Sequence, residues 1–403
     1  MSVTAETQGY SHRIFPGAPR GWERPQHPEL PTKIASEYAG TFAAVRNNTY
    51  WFNGTLIRIG AGKEIFIGRE RTGEIQERRP DGKSLPDTTR LVWAPVVNGK
   101  ISQTTHVLWD PFQTKTIWED PRATMDASGT LYITGTHVKL TDHDYGKYIP
   151  VIAKISLGDF VSTLDPQMLE ASLREIPRIG KNALVIPGQN GQKNRALVRL
   201  DGEEKRQQRK RLTRFSVYEE QQDGEWTETG VIDFKSVLPK PKDTYRIGTG
   251  GGPIFLDNGD VAIGTHRIIW EKGVYKYILG VSVLGSDLHP YAWFDLADYD
   301  FLKGRVDQDP DMAHVPRHNP IGKQVVYSVD MHYVLKNDGM EDHEQLECLV
   351  TMFDNSIVKL RFSKRELVEK AQRARELVQN QVSPIGTLRR GTGLNPLELR
   401  IVD

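Results

Sequence analysis

The stretch "TIWEDPRATM" sets Glu119 and Asp120 directly before Pro121 and Arg122. A carboxyl group in this company is either a turn residue or a proton-holding group beside a fixed cation. Three further side chains recur near the close of an apolar run: Arg69 in "EIFIGRE", Arg199 in "ALVRL" and His266 in "AIGTHR". Lys181 opens another such run, "KNALVIP". Guanidinium forks suit the oxygens of an anion, and a carboxyl group facing them suits proton transfer. Such chemistry requires residues spread from position 69 to 266 to meet in space.

The elements that would bring them together are legible as a repeat. Before residue 362 the chain is built of short alternating or β-branched runs bounded by Gly, Asn and Asp, which is an all-β pattern. Five units share one template of a small or polar opening, a strand, a polar turn and a second strand, at 52–70, 119–137, 181–200, 250–267 and 327–354. With Asn53, Asp120, Asn182, Gly252 and Val329 as equivalent positions, the intervals are 67, 62, 70 and 77 residues, each long enough for a four-stranded sheet. The runs "THVLW", "YIPVIAKISL", "LTRFSVYEE", "YKYILGVSVL" and "NSIVKLRF" supply the outer strands. Radial packing protects sheet edges, so a hairpin repeated at this period predicts a five-bladed β-propeller. A pair of β-sandwich domains is the alternative. In a propeller the innermost strands of all blades begin at one mouth of a central channel, and the five equivalent positions converge there. Pro121 biases Asp120 toward extended backbone at the start of its strand.

The propeller is expected over 47–362. Residues 1–46, rich in Pro and aromatic residues, read as an extended N-terminal arm lying across the blades. Residues 363–403 read as a helix and tail, with Leu367, Ala371, Ala374, Leu377 and Val378 on one helical face and Ser363 as its cap.

Composition narrows the function classes. The 403 residues carry 53 Lys and Arg against 52 Asp and Glu, a formal charge of +1, so no global field draws the chain to nucleic acid or to an anionic membrane. No run approaches a membrane span or the apolar core of a signal peptide, and the single Cys348 cannot close an internal disulfide; both point to a cytoplasmic protein. Cys348, in "LECLVTMF", reads as a buried structural thiol.

The ordered motifs "EDPR", "KNALVIP", "RIGTGGGPIF" with "IGTHR", and "VVYSVDMHYV" resemble glycoside hydrolase family 130, the inverting β-mannoside phosphorylases and their hydrolase relatives, which are five-bladed propellers. The resemblance spans about residues 50 to 360. It implies a carbohydrate-active enzyme that splits a β-mannoside or related glycoside, with Asp120 as general acid acting partly through a sugar hydroxyl and inorganic phosphate as nucleophile. Inverting cleavage needs an acid and a nucleophile on opposite faces of the sugar. Phosphate needs no general base but does need fixed cations, for which Arg69, Arg199, His266 and Lys181 are the candidates. Asn53, Arg122, Asn182 and Asp330 are the candidates for binding the sugar, and Tyr50 and Trp51 offer a stacking face. No cofactor or metal is expected. The chain departs from the family where Leu200 and Asp201 follow Arg199 and where Thr265 precedes His266.

Two other readings stay open. A hydrolase would replace phosphate by water and a carboxylate base, for which Asp330 is the candidate. A noncatalytic propeller would use its channel mouth or rim to bind sugar or protein. Other motifs carry less. "GTGGGP" opens a strand and lacks the helix of a dinucleotide site. Asp307, Asp309 and Asp311 have calcium-loop spacing, but Met312 and His318 stand where Gly and Glu are required. "TDHDYGKY" reads as a hydrated turn, and "EEKRQQRKRLTR" at 203–214 is basic without interleaved aromatics, so it reads as a solvated hairpin or a contact in a homo-oligomer rather than a nucleic-acid site.

Overall fold

Each of the five repeated hairpins grows into an antiparallel sheet, and the five sheets stand around one axis as the blades of a propeller. The computed structural model describes residues 32–43, 49–60, 62–72, 89–102, 104–140, 145–163, 166–176, 180–189, 191–200, 213–239, 244–271, 274–313, 315, 325–336, 338–353 and 356–382. Most of the arm, the segment 201–212, residues 141–144 of the hydrated turn, and the tail after 382 lie outside the described residues.

Blade one runs Thr49–Gly60, Lys63–Thr72 and Arg90–Val97, with Lys100–Ile101 and His106–Trp109 both paired to its third strand. Blade two is Thr116–Met125, Thr130–Leu140, Tyr145–Ser156 and Leu173–Glu175. Blade three is Gly180–Ile186, Arg195–Leu200, Arg214–Glu220 and Trp226–Asp233. In blade four the innermost position is shared by Thr244–Thr249 and Ile254–Phe255, followed by Val261–Glu271, Val274–Leu284 and Pro290–Asp298.

Blade five corrects one expectation. Its strands Val326–Leu335, Glu341–Met352 and Ser356–Ser363 are completed by Ser36–Ala43, with Ser36 opposite Phe362 and Ala43 opposite Ile357. This part of the expected arm is thus a strand of the propeller itself. The reason is the edge problem: without it the last blade would expose an unpaired strand. Pairing the two ends of the chain closes the ring. Just before that strand, Ile34 and Asp295 exchange backbone hydrogen bonds with the neighbourhood of blade four, Ile34 N donating to Asp295 O and Asp295 N to Thr32 O.

The hydrophobic core is divided among the blade interfaces. Ile67, Trp118 and Ile133 belong to the cluster between blades one and two; Val185, Val198 and Ile152 fill the next interface, and Leu197, Phe234 and Ile263 the next. Phe294, Val350 and Leu360 lie between blades four and five, while Trp51, Phe66 and Leu349 close the ring between blades five and one. The helix Lys364–Val382 is capped by Ser363, whose Oγ accepts from Glu366 N at 3.3 Å. It buries Leu367, Ala371 and Ala374 against blades four and five. No helix among the described residues is long and apolar enough to cross a membrane. Cys348 is fully buried beside Ser328, and burial pushes its thiol up to about 12.

Candidate functional site at the upper channel mouth

Innermost strands begin at one end of the channel, here the upper mouth, and end at the other. Four of the five equivalent positions share an unusual backbone: Asn53, Asp120, Asn182 and Gly252 have φ of 46°, 50°, 53° and 61°. In blades one, two and three the ladder register shifts at this position, between Phe52 and Gly54, Glu119 and Arg122, and Lys181 and Leu184. These are bulges, and the left-handed conformation they demand is tolerated by Asn, Asp and Gly better than by other residues. A Cβ on Gly252 would lie 1.9 Å from Met331 O, so only glycine fits there. Asp120 does not take the extended backbone that Pro121 alone favours. The bulge wins, held by Arg122, whose Nη1 donates to Asp120 O at 2.7 Å. Strained backbone of this kind persists where surrounding contacts over-determine it.

Those contacts form a belt through all five blades. Asn53 N donates to Thr351 Oγ1 of blade five at 3.0 Å, and Asn53 Nδ2 donates to Asp120 Oδ1 at 2.8 Å. Asn182 Nδ2 reaches Asp120 Oδ2 at 3.5 Å from the other side, and Thr249 Oγ1 of blade four donates to Asn182 O at 3.1 Å. Arg122 then crosses the channel from blade two to blade four, its Nε and Nη2 both donating to Thr249 O at 3.2 and 2.8 Å. Its guanidinium therefore spans the channel beneath Asp120, and only 2% of the residue is exposed.

The electrostatics of the belt follow from its neighbours. Burial acts to raise the Asp120 carboxyl, but Arg122, Lys181, Arg69 and Arg199 outweigh it and hold the group below the usual carboxylate range. The residues named from the repeat register therefore act on one carboxylate. Arg69 and Arg199 also occupy one register, each opposite the residue before a bulge, Phe52 and Lys181. Arg69 Nε donates to Thr89 Oγ1 at 2.8 Å and its guanidinium lies over the Phe52 ring; Arg199 Nη1 donates to Ile247 O at 3.1 Å. Lys181 Nζ pairs with Glu119 Oε2 at 2.6 Å and sits 3.8 Å from the Tyr148 ring centre. Burial acts against its charge, yet Glu119 and Asp120 raise its pKa.

His266 differs from the expectation of a switchable cation. Burial, Arg199 and Arg122 push its imidazole down to about 3, so it is neutral at ordinary pH. Its ring lies over Gly248, where a Cβ would come within 2.2 Å, and its buried Nδ1 has no hydrogen-bond partner. Trp51 also departs from its expected role. It is 5% exposed and packed in the cluster between blades one and five, and Tyr50 is buried as well, so neither offers an open stacking face.

Asp330 lies one position past the fifth equivalent residue. Its Oδ2 accepts from Leu56 N at 2.7 Å, its buried Oδ1 has no partner, and burial pushes its carboxyl up to about 6 against the opposing pull of His332 and of the Leu56 N–H. It lines a cavity of about 360 Å³ at the lower mouth, with Arg58, Asp126, Phe255, His332 and Glu341. The aspartates of the calcium-like motif do not converge: Asp307 pairs with Lys303, Asp309 accepts from Tyr38 and Thr41, and Asp311 pairs with Lys100.

Two site residues were not singled out from the sequence. Arg246 contributes positive potential at His266, and the signal for it is its place two residues before Gly248 in "YRIGTGGGP". Thr136 stands opposite Glu119, the blade-two counterpart of Arg69 and Arg199, with a buried hydroxyl lacking a partner.

Comparison with solved structures bears on the fold. The chain is similar to a β-1,2-mannobiose phosphorylase from Listeria innocua (13% identity, TM-score 0.52, covering 82% of this chain and 97% of that one). It is similar to a GDP-Man-dependent mannosyltransferase from Leishmania mexicana (11%, TM-score 0.52, 83% and 90%). A glycosyl hydrolase from Bacteroides ovatus matches at 11% identity and TM-score 0.50 over 86% and 94% of the two chains. No protein-family model and no curated protein sequence matches the chain. The resemblance drawn from the motifs thus holds at the level of fold: the chain is a five-bladed propeller of the kind found among proteins that act on glycosides.

Proposed function

We propose that the chain is a carbohydrate-active enzyme that cleaves a β-mannoside or related glycoside by inverting phosphorolysis. Asp120 serves as general acid, and Arg69 and Arg199 hold inorganic phosphate, assisted by Lys181 and by neutral His266 as a hydrogen-bonding group. The observation that carries this reading is one carboxylate, fixed by Asn53 and Asn182, whose four strongest charged neighbours are all cations. Such a field attracts an anionic nucleophile and suits it better than water.

The same field makes Asp120 a poor acid by itself, since an ionised carboxylate has no proton to give. A phosphate dianion among the arginines offsets their pull and raises the proton affinity of Asp120. Anion binding and acid function are thereby linked: the nucleophile that attacks the anomeric carbon also restores the proton to the group that protonates the leaving oxygen, directly or through a sugar hydroxyl. Asn53, Asn182 and Arg122 fix the acid, whereas Asp330, expected from the sequence to bind the sugar, lies on the other side of Arg122 in the lower cavity and takes no part in this reading. A GDP-mannose-dependent transfer, the activity named for one structural neighbour, would also place phosphate oxygens among these cations.

The test is to incubate β-linked mannosides with and without phosphate and to follow products by ¹H and ³¹P NMR. The proposal requires phosphate-dependent formation of an α-configured sugar 1-phosphate that is lost in Asp120→Asn. Turnover indifferent to phosphate would replace it by hydrolysis, and full activity in the variant would remove Asp120 from the mechanism.

A further inference from the structure

Blade four carries aromatic side chains from the site to the surface. His266, Ile268 and Trp270 alternate along Val261–Glu271 and share one face, as residues two apart in a strand must. Their cross-strand partners on that face are Leu279, Tyr277 and Tyr275. At the level of the site, the His266 ring lies 6.2 Å from Tyr277 and 5.6 Å from Tyr327 of blade five. At the rim, Trp270 and Tyr275 meet edge to face at 4.5 Å, Tyr245 lies 5.5 Å from Tyr275, and the Arg246 guanidinium lies over Tyr245. Trp270 is 52% exposed and Tyr275 37%, among the few large apolar side chains so open to solvent.

A cross-strand Trp–Tyr pair stabilises a hairpin wherever it occurs. That does not account for its place on the same face as His266, at the mouth above the catalytic candidates. Arg122 spans the channel below Asp120 from blade two to blade four, which leaves the upper mouth as the side on which a glycoside would extend beyond the cleaved sugar. Four residues of strand separate His266 from Trp270, about 13 Å by strand rise, roughly the span of two to three linked pyranose rings. Pyranoses present apolar C–H faces to aromatic rings and hydroxyls to tyrosine and arginine, and all these groups are present along the ladder.

We propose that Tyr245, Trp270 and Tyr275 form a distal platform that binds the leaving-group sugars of an oligosaccharide, so that the substrate is longer than a disaccharide. This rests on the reading of the channel mouth as a glycoside site. The experiment measures binding as well as turnover: tryptophan-fluorescence titrations with β-linked manno-oligosaccharides from disaccharide to pentasaccharide, on the wild type, Trp270→Ala, Tyr275→Ala and Trp270→Phe. Affinity that rises with chain length in the wild type, falls about fivefold for the longer sugars in the alanine variants, is unchanged for disaccharide and is restored by Trp270→Phe supports the platform. Length-independent binding, or equal losses for every sugar, overturns it. So does a variant that leaves sugar binding intact but turns a dimer into a monomer, which assigns the ladder to a subunit contact. Length-dependent binding with no turnover of any sugar would sustain the platform while removing the proposed phosphorolysis.

Discussion

Asp120, half-buried, and Asp330, buried, are two carboxyl groups of one channel, a single template position apart, and the protein drives them in opposite directions. Asp120 is held below the ordinary range and Asp330 is pushed up to about 6. Burial raises both; the difference lies in what stands beside them. Asp120 has four cations from blades one to three, whereas the groups that act most on Asp330 are His332, the Leu56 and Met331 N–H groups and Thr55, with Arg122 shared between the two. The surroundings of Asp120 therefore favour negative charge, and those of Asp330 disfavour it. Burial acts to raise both groups, so the opposite outcome shows that neighbouring charge sets the direction here.

The sharpest way to break this contrast is by activity. Asp120→Asn is expected to lower kcat by about 10²–10⁴, the usual worth of a positioned acid, while Asp330→Asn, on the other side of Arg122, spares kcat. Steady-state kinetics with each substrate varied checks both, and similar kcat losses in the two variants would erase the distinction. Next, Arg199→Ala is expected to raise KM for phosphate by roughly tenfold or more, with Arg199→Lys recovering only part, because the fork geometry is lost. An unchanged phosphate KM would take Arg199 out of the anion site.

Smaller effects appear in stability. The folded pKa of Asp330 lies above its unfolded value, so the wild type loses stability as pH rises from about 4 to 6 and stays penalised above that. Asp330→Asn should then be more stable than wild type at pH 8, by up to about 3 kcal/mol, with the gain gone near pH 4. Asp120 has the opposite sign: its depressed pKa contributes stability above the unfolded value and loses it as pH falls. Asp120→Asn is expected to destabilise the protein at neutral pH, and the deficit should shrink on acidification. Urea titrations at the two pH values measure both differences.

Much of this arrangement was legible because it repeats. The five hairpins, the equivalence of Asn53, Asp120, Asn182 and Gly252, and the shared register of Arg69 and Arg199 all follow from one template, whereas the left-handed backbone at those four positions does not. What a template cannot carry is the partner that each copy meets. "GTH" occurs in blades two and four, yet His137 packs against Trp109 and Trp118 while His266 lies over Gly248 beside the cations. Nor did alternation reveal that Trp51 turns into a blade interface. Ser36–Ala43 was missed as a strand because it lacks the repeat and pairs with residues more than 300 positions away.

The most direct measurement is a ¹³C NMR titration of the aspartate carboxyl groups, with Asp120 and Asp330 assigned from the two Asn variants, in the absence and presence of phosphate. Free Asp120 is expected to titrate below the ordinary range and to move upward with phosphate, while Asp330 stays near 6. An Asp120 carboxyl that titrates at its ordinary value and ignores phosphate would contradict the coupling of anion and acid on which the proposed reaction depends.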